Sequence, residues 1–288
     1  MTSLQYKIDF VGLIEVNRAN PNGDPLSENM PRTDFEGYGE ISDVALKRKI
    51  RNRLQDMGEK IFVQSDERRD DEFSSLRERA EADEDLKKFA KNKDREAFAK
   101  RACELWIDTR AFGQVFAFKK GGDAKGLSVG VRGPVSIREA VSQNIVTISH
   151  NQITKSVNSE GGEGVKSSDT MGMKYRVDFG VYKFAGSINV QLSEKTGFSE
   201  ADAEKIHEAL KTLFENDASS ARPEGSMVMK RLYWFKHNNK TGQHSSYTVH
   251  NSVNLKLKDN IDTPSKFDDY EIEEIKLEGL TPEVYVEG

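Results

Sequence analysis

Apolar positions near the start of the chain change period once, and the change predicts a strand, a long loop and a helix. Over residues 6–16, Ile8, Phe10, Gly12, Ile14 and Val16 alternate with Asp9, Val11, Leu13 and Glu15. Both sets are largely apolar, which predicts a central strand buried on both faces. Residues 17–39 lose this periodicity and gather Asn-initiated turns, glycines and three prolines, the chemistry of a long loop. Loops of this length in compact domains are often functional. Ser42 or Asp43 can cap the next element. In it Leu46, Ile50, Leu54 and Met57 form one helical stripe.

Further on, residues 66–104 carry thirteen acids and eleven bases, the pattern of a solvated helical surface. Core character returns over 98–107, around Leu105 and Trp106. Residues 108–113 read as a loop leading into a strand at 114–118. Strand-like runs recur at 127–137, 145–149 and 176–192. Between the last two, residues 150–175 are rich in Ser, Gly, Lys and Asn, which predicts a protruding hairpin or arm. Residues 198–216 form an amphipathic helix capped by Ser199, with Ile206, Leu210, Leu213 and Phe214 inward. Strands follow at 227–235 and 249–257. No repeat or linker divides the chain, so a single α+β domain over residues 1–288 is expected, with insertions.

Composition narrows the class. The chain has 288 residues, 36% hydrophobic and 32% charged, with a net charge of −5. No stretch approaches the apolar length needed to span a bilayer, and residues 1–7 lack the basic and apolar parts of a signal peptide. One cysteine, Cys103, excludes an internal disulfide and a cysteine-rich zinc site. A cytoplasmic protein is expected. The charge is uneven. Residues 259–288 hold ten acids and two bases, a balance of −8, which leaves the first 258 residues at +3. This acidic segment reads as a solvated tail.

Catalytic signals are poor. The five histidines have no ligand spacing, and His244 and His250 read as surface residues. Asp24 and Asp34 sit beside Gly, Pro or Thr and read as turn formers rather than cation ligands. Binding signals are better. Lys47, Arg48, Lys49, Arg51 and Arg53 put five cations into seven residues with no acid among them. Directly after a long Asn/Gly loop, such a helix suits phosphate contact. Arg110, Phe112 and Gln114 offer a cation, an aromatic and an amide in one predicted loop, a combination that holds a base and its phosphate. The run 179–184 (FGVYKF) partly matches the alternating Gly/aromatic signature of an RNA-recognition motif, and a packed strand explains it equally well. The arm holds Lys155, Lys166, Lys174 and Arg176. Met171 and Met173 near its return either wedge between bases or pack on the parent domain.

Several blocks together resemble a known family. They are residues 20–32 (NPNGDPLSENMPR), 41–52 (ISDVALKRKIRN), 108–113 (DTRAFG), 132–136 (RGPVS), 152–158 (QITKSVN), 168–173 (SDTMGM) and 186–189 (GSIN). The pattern resembles the backbone subunit of type I CRISPR Cascade complexes, most closely the type I-C kind. The resemblance implies a modified RRM-like (ferredoxin-like) antiparallel sheet, with a helical insertion at 58–107, a thumb hairpin at 150–176 and the acidic segment at 259–288. It implies copies stacked head to tail along a CRISPR RNA, a heterologous contact that builds a helical filament. The thumb displaces a base at intervals, and the exposed bases pair with target DNA. Other implied partners are the crRNA-processing and large Cascade subunits and, indirectly, a recruited helicase-nuclease. No cofactor, metal or catalytic residue is implied. RNA binding would fall to Asn20, Asn22, Gly23, Arg32, Lys47, Arg48, Arg51, Arg110, Phe112, Gln114, Gln152, Lys155, Met171, Met173 and Lys174. The alternative is a target-RNA ribonuclease, as in related type III backbone subunits, with Asp34 as the acid.

Overall fold

The computed structural model describes residues 3–117, 128–154 and 171–287. Its elements are β1 (Ile8–Ala19), β2 (Gly23–Asp24), β3 (Met30–Pro31), β4 (Tyr38–Ile41) and α1 (Asp43–Asp56), then α2 (Leu76–Glu81), α3 (Glu84–Asn92), α4 (Arg95–Leu105) and α5 (Ile107–Phe112). The middle of the chain gives β5 (Gly113–Ala117), β6 (Ser128–Arg132), β7 (Val135–Ile137), β8 (Ala140–Ile145), β9 (Ile148–Thr154) and β10 (Met171–Ile188). After these come α6 (Val190–Thr196), α7 (Glu200–Lys211), β11 (Met227–Lys236), α8 (Ser246–His250), β12 (Val253–Leu257), β13 (Tyr270–Glu274) and β14 (Glu283–Val286).

An antiparallel sheet in the order β14-β11-β1-β10-β8-β4 organises the molecule, and β7 and β9 also pair with β10. As its alternating apolar sets predict, β1 is buried on both faces. Phe10, Ile14 and Val16 join a core with Leu46, Ile50 and Leu54 of α1 and Ile206 and Leu210 of α7. Val11 and Leu13 face the other way, against Val249, Val253, Phe267, Tyr270 and Leu280. Burying both faces of a sheet removes far more apolar surface from water than one face allows.

The second layer corrects the acidic segment. It is not a solvated tail: β13 pairs with β12, β14 extends the main sheet beside β11, and Phe267, Tyr270 and Leu280 are buried beneath. Apart from the buried Asp269, which accepts from Ser265 N and Lys266 N, its acids stay outside while spaced apolar residues point inward. The same cover settles the run 179–184 as a packed strand. Phe179 and Val181 lie under the C-terminal layer, Tyr182 and Phe184 under the helices, and none presents an open ring face.

Other boundaries moved for local reasons. Residues 108–113 are not a loop: α5 occupies them up to Gly113, whose φ of 82° ends the turn. The run 176–192 stops at Ile188, because the Asn189 side chain accepts from Leu192 N at 2.8 Å and starts α6. The run 249–257 begins as α8, capped by Ser245. The α7 helix ends at Lys211 and not 216, and its Ser199 cap forms a reciprocal capping box with Asp202. The charged stretch is more than surface. Phe62, Leu86, Phe98 and Trp106 build a small core with Phe116 and Val129, with ring centroids 4.6 Å apart for Phe62 and Trp106.

Candidate nucleic-acid interface

The loop after β1 is rigid for reasons visible in its residue types. Asn20 is buried and donates from Nδ2 to Asn29 O at 2.7 Å. Asn22 Oδ1 accepts from Ser42 N at 2.9 Å, which ties the loop to the start of α1. At Gly23 a Cβ would sit 2.0 Å from Asn29 Oδ1 and 3.0 Å from Asn29 O, so a larger residue would force the Asn29 side chain to move. Both turn aspartates behave as expected. Asp24 accepts from Leu26 N at 3.2 Å and pairs with Arg32 at 3.2 Å, while Asp34 accepts from Glu36 N and Tyr38 N at 2.9 Å each.

Ser42 caps α1, accepting from Ala45 N at 3.2 Å. The helix lays its apolar stripe on the sheet, but its cations are not a free row. Lys47 pairs with Asp43 one turn back at 3.0 Å. Lys49 is buried and pairs with Asp217. Arg51 Nε donates to the buried Asp108 at 3.0 Å. Arg53 donates to Thr212 at 2.7 Å and pairs with Glu215 at 2.5 Å. Arg48 meets no carboxylate at ion-pair distance among the described residues and donates to Val63 O at 2.7 Å. Burial and then the adjacent Arg51 charge push the Arg48 guanidinium below its ordinary value, which leaves it a strong gain from any anion that reaches it.

Loop and helix meet in a cleft of about 570 Å³. Asn22 and Gly23 line it from the loop, Arg48, Lys49 and Asn52 from α1, and Arg68, Asp217 and Arg222 from segments distant in sequence. The structure thus brings together Asn22, Gly23 and Arg48 as the sequence predicts. It adds Lys49, a member of the predicted cation cluster that was not among the expected RNA contacts, and Asn52, Arg68 and Arg222, which sequence reasoning missed. Arg68 looked like one more charge in a mixed run, and Arg222 stands alone between Ala221 and Pro223. No local pattern marks either.

The segment 108–114 divides. Phe112 lies under the Arg51 guanidinium, 5.1 Å from its ring centroid, so it belongs beside α1. Arg110 does not. Its guanidinium forks onto the buried Asp202 at 2.7 and 3.1 Å and reaches Cys103 O at 3.2 Å, bracing α5 against α7. Burial raises the Asp202 pKa, but the Arg110 hydrogen bonds, its charge and the Ser199 bonds bring it below the ordinary value. Gln114, on β5, turns back to Val115 O at 3.1 Å. The repeated Gly in DTRAFG and RGPVS has a steric cause. A Cβ on Gly113 would lie 2.3 Å from Val131 O, and one on Gly133 would lie 2.3 Å from Ala111 O.

The arm begins as a hairpin of β9 against the first residues of β10, with Gln152 opposite Met173 and Thr154 opposite Met171. Met171 is 62% exposed and Met173 42%, so they do not pack on the parent domain. Gln152 Nε2 reaches Met171 Sδ at 2.7 Å, and Lys174 is half-buried. Tyr175 at the arm's base donates to Glu28 at 2.8 Å, placing the arm beside the first loop. Lys155 and Lys166 fall outside the described residues.

The histidines also needed tertiary structure. His250 is not a free surface residue: its Nε2 lies 2.9 Å from Gly186 O and 3.3 Å from Asp9. Asp9, on β1, is buried and also meets His237 and Lys7 at 2.8 Å. Burial raises its pKa, but hydrogen bonds from His237, His250, Lys7 and Ser246 override this and hold it well below the usual carboxylate range. His244 is a surface residue, near Glu278 O at 2.8 Å. Burial pushes the Cys103 thiol up to about 12, which makes it inert. Among the described residues, no helix is long and apolar enough to cross a membrane.

These features sit in a family. The family model for CRISPR-associated protein Cas7 matches residues 6–275, and the chain belongs to that family. A CRISPR-associated protein Cas7 from Haloferax volcanii is 29% identical over 253 residues, covering 81% of this chain and 70% of that relative. Two solved chains are also similar. One, from a CRISPR RNA-guided surveillance complex in a pre-nicking state, has 16% identity and a TM-score of 0.49 over 80% of this chain and 78% of that one. The other, from a CRISPR RNA-guided surveillance complex, has 16% identity and a TM-score of 0.44 over 80% and 68%. The resemblance carried by the sequence blocks is borne out at the level of the family.

Proposed function

We propose that this chain is a non-catalytic CRISPR RNA-binding backbone subunit of a type I Cascade complex, of the type I-C kind. Family membership supports the class, and one observation carries the site. Residues 21–23 of the loop and Arg48 and Lys49 of α1, separate in sequence, line a single cleft of about 570 Å³. Asn22, Gly23 and Arg48 contact phosphates there, and Lys47 and Arg32, which do not line the cleft, add contacts to the RNA outside it. Copies stack head to tail along the RNA, so weak grips in series give tight, salt-sensitive binding. The sheet order β11-β1-β10-β8, with α1 after β1 and α7 after β10, supports the ferredoxin-like reading of the core. The β9–β10 arm is the thumb, and its exposed Met171 and Met173 act as the wedge that unstacks a base. Target DNA then pairs with the exposed guide. The crRNA-processing and large subunits complete the assembly, and a helicase-nuclease is recruited to it in the cytoplasm.

The test is co-expression with a CRISPR RNA and the sister subunits. Lys47→Glu with Arg48→Glu abolishes RNA co-purification while circular dichroism stays that of the wild type. Retained RNA with an intact spectrum refutes the cleft assignment. The ribonuclease reading is tested with matched RNA and magnesium: cleavage that disappears in Asp34→Ala overturns the scaffold.

A further inference from the structure

The connection between α7 and β11 lies against α1 and meets it or its neighbours with three consecutive side chains. Glu215 pairs with Arg53 at 2.5 Å. Asn216 donates to Asp56 at 3.2 Å, and its carbonyl accepts from Arg68. Asp217 receives Lys49 and lies 3.5 Å from Arg222 Nε. Lys49, Asp217 and Arg222 all line the cleft described above.

The Asp217 cluster is built unlike a surface ion pair. Lys49 is 5% exposed, and the Asp217 side chain 14%. Burial pushes the Lys49 ammonium below its ordinary pKa, and the Asp217 charge works against that shift. Arg222 Nε is buried, faces the same carboxylate, and makes no hydrogen bond of good geometry. Two cations therefore converge on one carboxylate, and one of them is incompletely satisfied. A buried cation needs an anion but does not specify which. A phosphodiester carries the same single charge as a carboxylate and offers more acceptor positions, so it can serve both cations at once.

We propose that Lys49 and Arg222 form a phosphate subsite that Asp217 fills in the RNA-free chain, and that an entering RNA phosphodiester takes the place of Asp217. This rests on the reading of the cleft as the RNA-backbone site. The exchange never leaves Lys49 without an anion. It also lowers the affinity of a single copy for stray RNA, leaving tight binding to copies acting in series.

The test uses the purified, RNA-free full chain and a fluorescein-labelled oligouridine, with binding read by anisotropy across a salt series. Asp217→Asn binds about three- to tenfold tighter than wild type, the scale of one charge-assisted bond, and its salt dependence steepens by about one counterion. Lys49→Met and Arg222→Met bind more weakly. Damage to the fold does not tighten binding, so a gain separates displacement from bracing. A second readout on the wild type covers any loss of folding in the variants. Adding oligouridine speeds hydrogen exchange of the amides at 215–219 while it slows exchange along α1. If Arg48→Glu and Lys49→Met weaken binding but Asp217→Asn does not tighten it, the exchange is refuted and the cleft stands. Exchange at 215–219 that stays constant or slows on RNA addition refutes it too. If Arg48→Glu, Lys49→Met and Arg222→Met all bind as wild type, the cleft reading itself falls.

Discussion

The α1 helix and the β9–β10 arm are two parts of one proposed interface, and they are built in opposite ways. Along α1, Lys47, Lys49, Arg51 and Arg53 each meet a carboxylate, and three of those acids are supplied by Asp108, Glu215 and Asp217, far away in sequence. On the arm, Gln152, Met171 and Met173 stand exposed, with a Gln–Met contact as their local tie. A run of cations in a sequence is therefore not a charged surface. Its potential depends on which acids the fold brings to it. The sequence left Met171 and Met173 open between wedging and packing on the parent domain, and their exposure in the fold decides against packing.

The contrast predicts unequal mutational costs. The largest falls on the buried pairs around α1 and α5. Arg110→Ala leaves Asp202 buried without its partner and lowers unfolding stability by about 3–5 kcal/mol in urea titrations. Arg51→Glu sets a second acid against Asp108, which also accepts from Phe62 N at 2.8 Å and Val63 N at 3.1 Å, and destabilises by a similar amount. Loss of RNA binding in that variant would report unfolding, so Lys47 and Arg48 are the better sites for charge reversal. A stable, wild-type melt in either variant would show that these pairs do not carry the fold.

The next effect is on pH dependence. The folded pKa of Asp9 lies below its unfolded value, so its hydrogen bonds contribute full stability above about pH 4 and lose it as the pH falls further. Asp9→Asn flattens the acid limb of the stability curve measured by circular dichroism; an unchanged limb would rule Asp9 out as its source.

Smaller still are the exposed positions. Lys47→Ala removes an i,i+4 pair and changes stability by about 0.5 kcal/mol or less, while its effect on RNA affinity is clear in anisotropy. Met171→Ala with Met173→Ala changes stability within about 0.5 kcal/mol, since neither is in the core. RNA binding is spared and the nuclease footprint on bound RNA changes. A footprint identical to wild type would remove these methionines from the wedge role, and a large drop in melting temperature would remove the contrast between helix and arm.

Sequence alone determined the features that depend on neighbours along the chain. The two apolar sets of β1, the stripe of α1 and one of its two candidate caps, Ser42, and the turn roles of Asp24 and Asp34 were legible, because periodicity and turn chemistry act over a few residues. The blocks that resemble the Cas7 backbone were legible for the same reason. Tertiary structure decided the rest. It gave the acidic segment a core beneath it, turned Arg110 inward, buried Lys49, and carried Arg68 and Arg222 to the cleft. Charge and burial are set by whatever lies within a few ångströms in space, and a linear sequence does not state which distant residues those will be.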